Sequence, residues 1–312
     1  MGSFGLAASV VLPLIVYMGV GGLIRKLSLF SEENFRAVNG LIFRVFIPLT
    51  LFFNVYRAEF QDAFNIRVFL YTMAAVLMGF CVVWVIVSRK IPDGRDAATV
   101  IQGTFRSNFV LFGTTVAMSL CEASGVALVS ALAAVVVPLF NMLAVILFEM
   151  KRGGTVKPWE ILVNIFKNPL VDAGILGCIC SAFHVPIPEF LAEPLATLGD
   201  IATPLALVSL GGMLSFASMV SHRKYLVWTT AGRLVILPAL ALGGAVLLGM
   251  RGEELVAVFA VFASPTAVAS APMAQSMGGN GVLAGEIVVT TTVCSMATIF
   301  LFVCVLSGAG LL

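Results

Sequence analysis

Charge is what this sequence has least of. Aspartate, glutamate, lysine and arginine make up 11% of its 312 residues, against about 25% in soluble globular domains. With 60% of residues apolar and a mean hydropathy of +1.07, the solvent for this chain is lipid. Histidine is almost missing: His184 and His222 fall in loops with no second ligand beside them in sequence, which argues against a metal site. There is no His-Glu-x-x-His, no Gly-x-Ser-x-Gly, no phosphate loop and no aspartyl pair in the apolar runs, so the sequence reads as a non-enzyme that needs no cofactor. Its six cysteines lie in or beside apolar runs, and Cys178-x-Cys180 lacks zinc or redox spacing. They read as small packing residues. Long polar linkers are also missing. The longest, near 149–160 and 184–196, leave no room for a nucleotide cassette, a nucleic-acid module or a separate soluble domain.

What the chain does have is apolar runs of about 20 residues, the length that crosses a bilayer as helix. They fall near 4–24, 34–55, 67–88, 97–120, 125–148, 160–183, 197–219, 224–249, 254–275 and 282–308. The expected fold is all-α, a polytopic membrane protein of ten spans. The N-terminus lacks a positive region ahead of its first run, which reads as a retained span rather than a signal peptide. The chain also matches itself at an offset of 156, without a gap: Gly21 with Gly177, Pro48-Leu49-x-Leu51 with Pro204-Leu205-x-Leu207, Arg67 with Arg223, Asn108 with Ser264. Two halves of five spans follow, 1–156 and 157–312. Arg25, Lys26, Arg36, Arg89, Lys90, Arg95, Lys151, Arg152, Lys157, Lys167, Arg223 and Lys224 collect at odd loops, whereas Arg57, Arg67 and Arg251 lie at even ones. Odd loops are therefore expected in the cytoplasm, with both termini outside. Five is odd, so the second half enters from the opposite side and the repeats are inverted.

Two spans break their own pattern. In the fourth, Gly103, Thr104, Arg106, Ser107, Asn108 and Gly113 stand where apolar residues are expected; in the ninth, Pro265 and Pro272 flank hydroxyls that include Ser264 and Thr266. These stretches are equivalent by the 156 offset. Non-helical backbone survives at membrane depth only inside protein or beside a water-filled cavity. If both spans unwind and cross, their half-helix N-termini form a site for an anion, with Arg106, Ser107, Asn108, Gly113, Ser264, Pro265 and Thr266 as candidate binding residues. Kinked helices with hydroxyls bonded to their own carbonyls are the bland alternative. Arg106 carries a fork suited to a carboxylate, or it forms an internal ion pair with Glu286. Glu286 and Asp172 are candidates for proton coupling; a solvated interfacial place is the favoured reading of Glu286, and a snorkelling or structural role that of Arg44, Asp172 and Arg233.

Taken together, these residues resemble the auxin efflux carrier family across essentially the whole chain. Arg106-Ser107-Asn108-Phe109 followed by Gly113, Ser264-Pro265-Thr266-Ala267, Gly278-Gly279-Asn280, Asn168-Pro169-Leu170 and Pro204-Leu205-Ala206-Leu207 with Gly211 carry the resemblance through their order and spacing. Thr114-Thr115 stands where a Leu-Pro is common, and no long central cytoplasmic loop is present, so a bacterial permease is the closer analogy. The resemblance implies crossing broken spans 4 and 9, a scaffold of spans 1, 2, 6 and 7 that forms a homodimer in the cell's inner membrane, and a transport unit of spans 3–5 and 8–10 that moves as an elevator. The implied cargo is a small organic anion such as malate, malonate or an auxin. A sodium-coupled symporter using Asn108, Thr114, Thr266 and Gln275, and a ligand-binding sensor that transports nothing, are the alternatives.

Overall fold

The computed structural model describes residues 3–57, 65–151 and 158–312. Arg152 and Lys157, both part of the charge bias, and the boundary between the halves at 156 lie outside the described residues. The described chain is helical: α1 (Ser3–Lys26), α2 (Glu32–Tyr56), α3 (Ile66–Lys90), α4 (Gly94–Phe105), α5 (Phe109–Leu120), α6 (Ala123–Lys151), α7 (Pro158–Phe166) and α8 (Pro169–Ala182) form the first part. Then come α9 (Glu189–Met213), α10 (Phe216–Ser221), α11 (Arg223–Leu247), α12 (Gly252–Ala263), α13 (Ser270–Ser276) and α14 (Gly281–Gly308). Six of these, α2, α3, α6, α9, α11 and α14, are long and apolar enough to cross a membrane.

Side-chain caps explain many of the helix starts. Ser31 accepts from the Asn34 amide, Asn65 from Arg67 and Val68, Asp93 from Arg95 and Asp96, Asn168 from Leu170, and Asn280 from Leu283. Each satisfies amides that the first turn leaves without partners. Basic pairs close two of the helices, Arg25-Lys26 on α1 and Arg89-Lys90 on α3, where the helix dipole favours cations. Within α2 and α11 a single turn widens to π geometry, at Ile42–Phe46 and Gly232–Ile236. Pro48 and Pro238 follow by two residues. A proline has no N–H for the carbonyl four residues back and its ring crowds that carbonyl, and the wider turn relieves both.

Two expected boundaries move. The sequence places the seventh apolar run at 197–219, but α9 runs from Glu189 to Met213, so Asp200 sits near the middle of a membrane-length helix rather than at its start. The sixth run divides at Asn168-Pro169 into α7 and α8. The packing contacts are closest where side chains are smallest. A Cβ on Gly21 of α1 would overlap the Val208 carbonyl oxygen of α9, and one on Gly177 of α8 would come within 3.0 Å of the Phe52 carbonyl oxygen of α2. Such backbone-to-backbone contact is how helices associate where no hydrophobic force separates protein from lipid. The most enclosed segments are α4 from Ala97 to Phe105 and α12 from Leu255 to Ala263, in which every residue is buried.

Candidate functional site

Both of those enclosed helices stop in the interior. The chain turns extended at Arg106 (φ −86°, ψ 121°) and at Ser264 (φ −69°, ψ 148°), and the two extended segments run antiparallel with Ser107 opposite Thr266. The Asn108 amide donates to the Pro265 carbonyl at 2.8 Å, and the Ala267 amide to the Arg106 carbonyl at 3.4 Å. Each break thus satisfies backbone of the other, as unwound chain at this depth requires.

The end carbonyls of the two helices have partners too. At the end of α4, Gln102 C=O accepts from the Arg106 amide at 3.0 Å and Gly103 C=O from the Thr266 hydroxyl at 2.6 Å. Arg233, fully buried in the π turn of α11, serves most of the others. Its guanidinium donates to Phe105 C=O at 2.9 Å and Thr104 C=O at 3.4 Å, and on the α12 side to Val261 at 3.1 Å, Ser264 at 3.0 Å and Phe262. One cation sits where two helix C-termini concentrate partial negative charge. Arg233 is therefore structural, and it does not snorkel.

Beside the crossing lies a cavity of about 570 Å³. One wall comes from α1, α2 and α9, with Tyr17, Thr50, Asn54, Asp200 and Thr203; the other comes from the Arg106–Asn108 break, α5, α6 and residues 267–269, with Phe140 and Asn141. Arg106 is 4% exposed, donates to Asn141 Oδ1 at 2.6 Å and meets the Met273 sulfur at 2.9 Å. A guanidinium has five N–H donors, so it keeps capacity for a ligand. Ser107 Oγ and Asn108 Nδ2 are buried with no hydrogen-bond partner, the state in which a ligand oxygen would be welcome. The cavity lies toward the C-terminal half of α2. At the other end of that helix the walls touch: Asn39 Nδ2 donates to Gln275 Oε1 at 2.9 Å, and Gln275 Nε2 to the Arg36 carbonyl at 2.9 Å.

Broken helices that meet beside a cavity with a few polar groups are how transporters build their binding sites, and sequence comparison agrees. The model of the family described as membrane transport protein matches residues 7–303. The chain belongs to that family, as an auxin efflux carrier-like permease. No curated protein matches it significantly.

In this membrane transport protein, Arg106, Ser107 and Asn108 line the cavity. The other expected binding residues do not. Gly113 lets α5 close on Ala260 of α12, where a Cβ would come within 2.8 Å; the Ser264 hydroxyl returns to Ala260 C=O at 2.6 Å; Pro265 offers its carbonyl to Asn108; Thr266 spends its hydroxyl on Gly103. All four build the crossing instead. Of the residues considered for sodium, Thr114 bonds back to Val110 C=O and Gln275 is held by Asn39 and Arg36, so neither joins Asn108 at the cavity.

Glu286 requires a correction. It is fully buried rather than solvated, and its partner is not Arg106: Oε2 lies 2.7 Å from Nδ1 of His222, the histidine expected to stand alone. Its Oε1 is buried without a partner, beside a second cavity of about 10 Å³, room for roughly one water. Asp172 is exposed in the first turn of α8, where a helix start favours a carboxylate. Sequence reasoning missed Asn141, Asn54, Thr50 and Thr203, which sit in otherwise apolar runs, and it missed Asp200. A signal for Asp200 existed: it is the 156-offset equivalent of Arg44.

Proposed function

We propose that this membrane transport protein is a secondary carrier for a small organic carboxylate, with Arg106, Ser107 and Asn108 holding the carboxylate in the cavity. The observation that carries the reading is the pair of buried, unpartnered polar groups, Ser107 Oγ and Asn108 Nδ2, flanking a guanidinium at a helix break. The N-terminal turn of α5 begins there and adds a partial positive charge.

The same reading gives the chain ten spans in two inverted repeats, 1–156 and 157–312, with α4–α5 and α12–α13 as its crossing spans 4 and 9. Support comes from the glycine contacts: Gly21 with Val208 and Gly177 with Phe52 are the same pair of positions shifted by 156 and exchanged between halves. The cavity separates α1, α2 and α9 from the crossing and α6, which suits a scaffold and a transport unit that slides along it. Closure by Asn39 and Gln275 at the end of α2 that bears Arg36 makes this an outward-open state, given cytoplasmic odd loops in the inner membrane. Arg233 already neutralises the carbonyl-rich crossing, which supports a cycle without bound sodium. A homodimer through the scaffold completes the proposal.

The test is counterflow in sodium-free proteoliposomes at zero membrane potential. Labelled carboxylate accumulates transiently against an unlabelled internal pool if the protein is a carrier, and Arg106→Ala abolishes this while remaining monodisperse. Saturable binding without exchange would replace the carrier with a sensor. Exchange only with sodium would restore the symporter.

A further inference from the structure

Asp200 lines the cavity as an acid, on the wall that faces Arg106. The residue sits near the middle of α9, which at 1.5 Å per residue puts it roughly 16–20 Å from either helix end, at the depth where an ionisable group marks function by default. Its side chain is exposed, and it lines the cavity. Among the described residues it forms no ion pair. Arg44, its repeat equivalent on the neighbouring α2, is not part of the cavity wall. Its place is fixed by the preceding residue: Thr50 Oγ1 donates to the Gly199 carbonyl at 2.7 Å, and Gly199 packs directly on the α2 backbone at Thr50.

The cavity therefore has two poles. Arg106 and the N-terminal turn of α5 form a positive one on the crossing wall, and Asp200 forms a negative one on the wall of α1, α2 and α9. The remaining polar lining, Thr50, Asn54, Asn141 and Thr203 among it, is uncharged. A dicarboxylate placed on Arg106 would turn its second carboxylate toward Asp200, an unfavourable approach of like charges. A plain monocarboxylate would leave the Asp200 charge without a counter-charge in the cavity.

We propose that the ligand is a small aminocarboxylate zwitterion, its carboxylate on Arg106 and its protonated amine on Asp200. The proposal rests on the carrier reading and deepens it. Asp200 then sets specificity: it rejects a second carboxylate by repulsion and accepts an ammonium group as a charge-assisted hydrogen-bond acceptor.

Three probes on one four-carbon skeleton separate the possibilities: butyrate, succinate and 4-aminobutyrate, with their homologues one carbon shorter and one and two carbons longer, each measured by counterflow. At the best length the aminocarboxylate is expected to exchange at least tenfold faster than its monocarboxylate and dicarboxylate counterparts. Asp200→Asn is expected to lower aminocarboxylate exchange at least tenfold and to raise dicarboxylate exchange, while Asp200→Glu keeps the native order. Should Asp200→Asn fail to fold, the ranking of probes by the native protein decides. Exchange of a mono- or dicarboxylate as fast as its amino counterpart overturns the zwitterion and leaves the carrier standing. No exchange of any probe by folded protein overturns the carrier, and the zwitterion with it.

Discussion

Removing Arg233 tests whether the crossing is a dry junction held by one cation. Its guanidinium donates to five carbonyls, those of Thr104, Phe105, Val261, Phe262 and Ser264. A hydrogen bond from a charged donor contributes about 1.5–3 kcal/mol net, and a buried carbonyl stripped of its donor costs about 1–3 kcal/mol. These do not sum fivefold, because burying the guanidinium itself cost several kcal/mol that its removal returns. The expected net loss for Arg233→Ala is about 3–5 kcal/mol, the range for breaking a buried charged cluster. At about 2–4 °C per kcal/mol, that is a fall of roughly 6–20 °C in apparent Tm, read as the monodisperse fraction remaining after heating in detergent. Arg233→Met, which keeps bulk without donors, should fall nearly as far. Arg233→Lys, with three donors on a point charge, should recover part of the loss. An alanine variant within about 2 °C of the native protein would refute the reasoning: water would then be reaching those carbonyls.

Gly21→Ala should cost about 1–3 kcal/mol through overpacking, because its Cβ meets the Val208 carbonyl, whereas Gly22→Ala, with 3.8 Å to the nearest atom, should be near neutral; equal Tm values for the two would remove the helix contact as the cause. Asn39→Ala should loosen the closed end by about 1 kcal/mol for the bond to Gln275. A cysteine placed at Leu214 beside it should then react about fivefold faster with an impermeant maleimide, and an unchanged rate would show that the bond is not a latch. His222→Ala should destabilise by about 1–3 kcal/mol by leaving Glu286 Oε2 buried without its partner. Adding Glu286→Gln should restore most of that loss; additive losses in the cycle would break the link between the two residues.

The breaks are legible because their residues contradict their setting: Arg106-Ser107-Asn108 and two prolines seven positions apart have no place in uninterrupted apolar helix. The offset of 156 pairs the two stretches by sequence alone, and the backbone joins them within three positions of that pairing, Ser107 to Thr266. Less legible is the direction of each hydroxyl. Ser264 and Thr266 could face a ligand or a helix end, and only the orphan carbonyls of Ala260 and Gly103 decide for the latter. The limits of α9 are hard to place because Glu189, Glu193 and Asp200 lower the local hydropathy and push an apolar window toward 219; the shift hides Asp200 as a mid-helix charge. His222 and Glu286 are 64 residues apart, and no local pattern connects them.

The two walls of the cavity are made in different ways. The crossing wall is woven: its backbone bonds, the Arg233 cluster and the returned hydroxyls interlock, so almost any exchange of residues there disturbs the weave. The facing wall presents side chains from continuous helices, and Asn54, Asp200 and Thr203 make none of the bonds that hold the crossing. New cargo preferences are thus within reach of single replacements on that wall, while the junction itself stays intact. A lineage built on this plan can diversify what it carries without relearning how to fold.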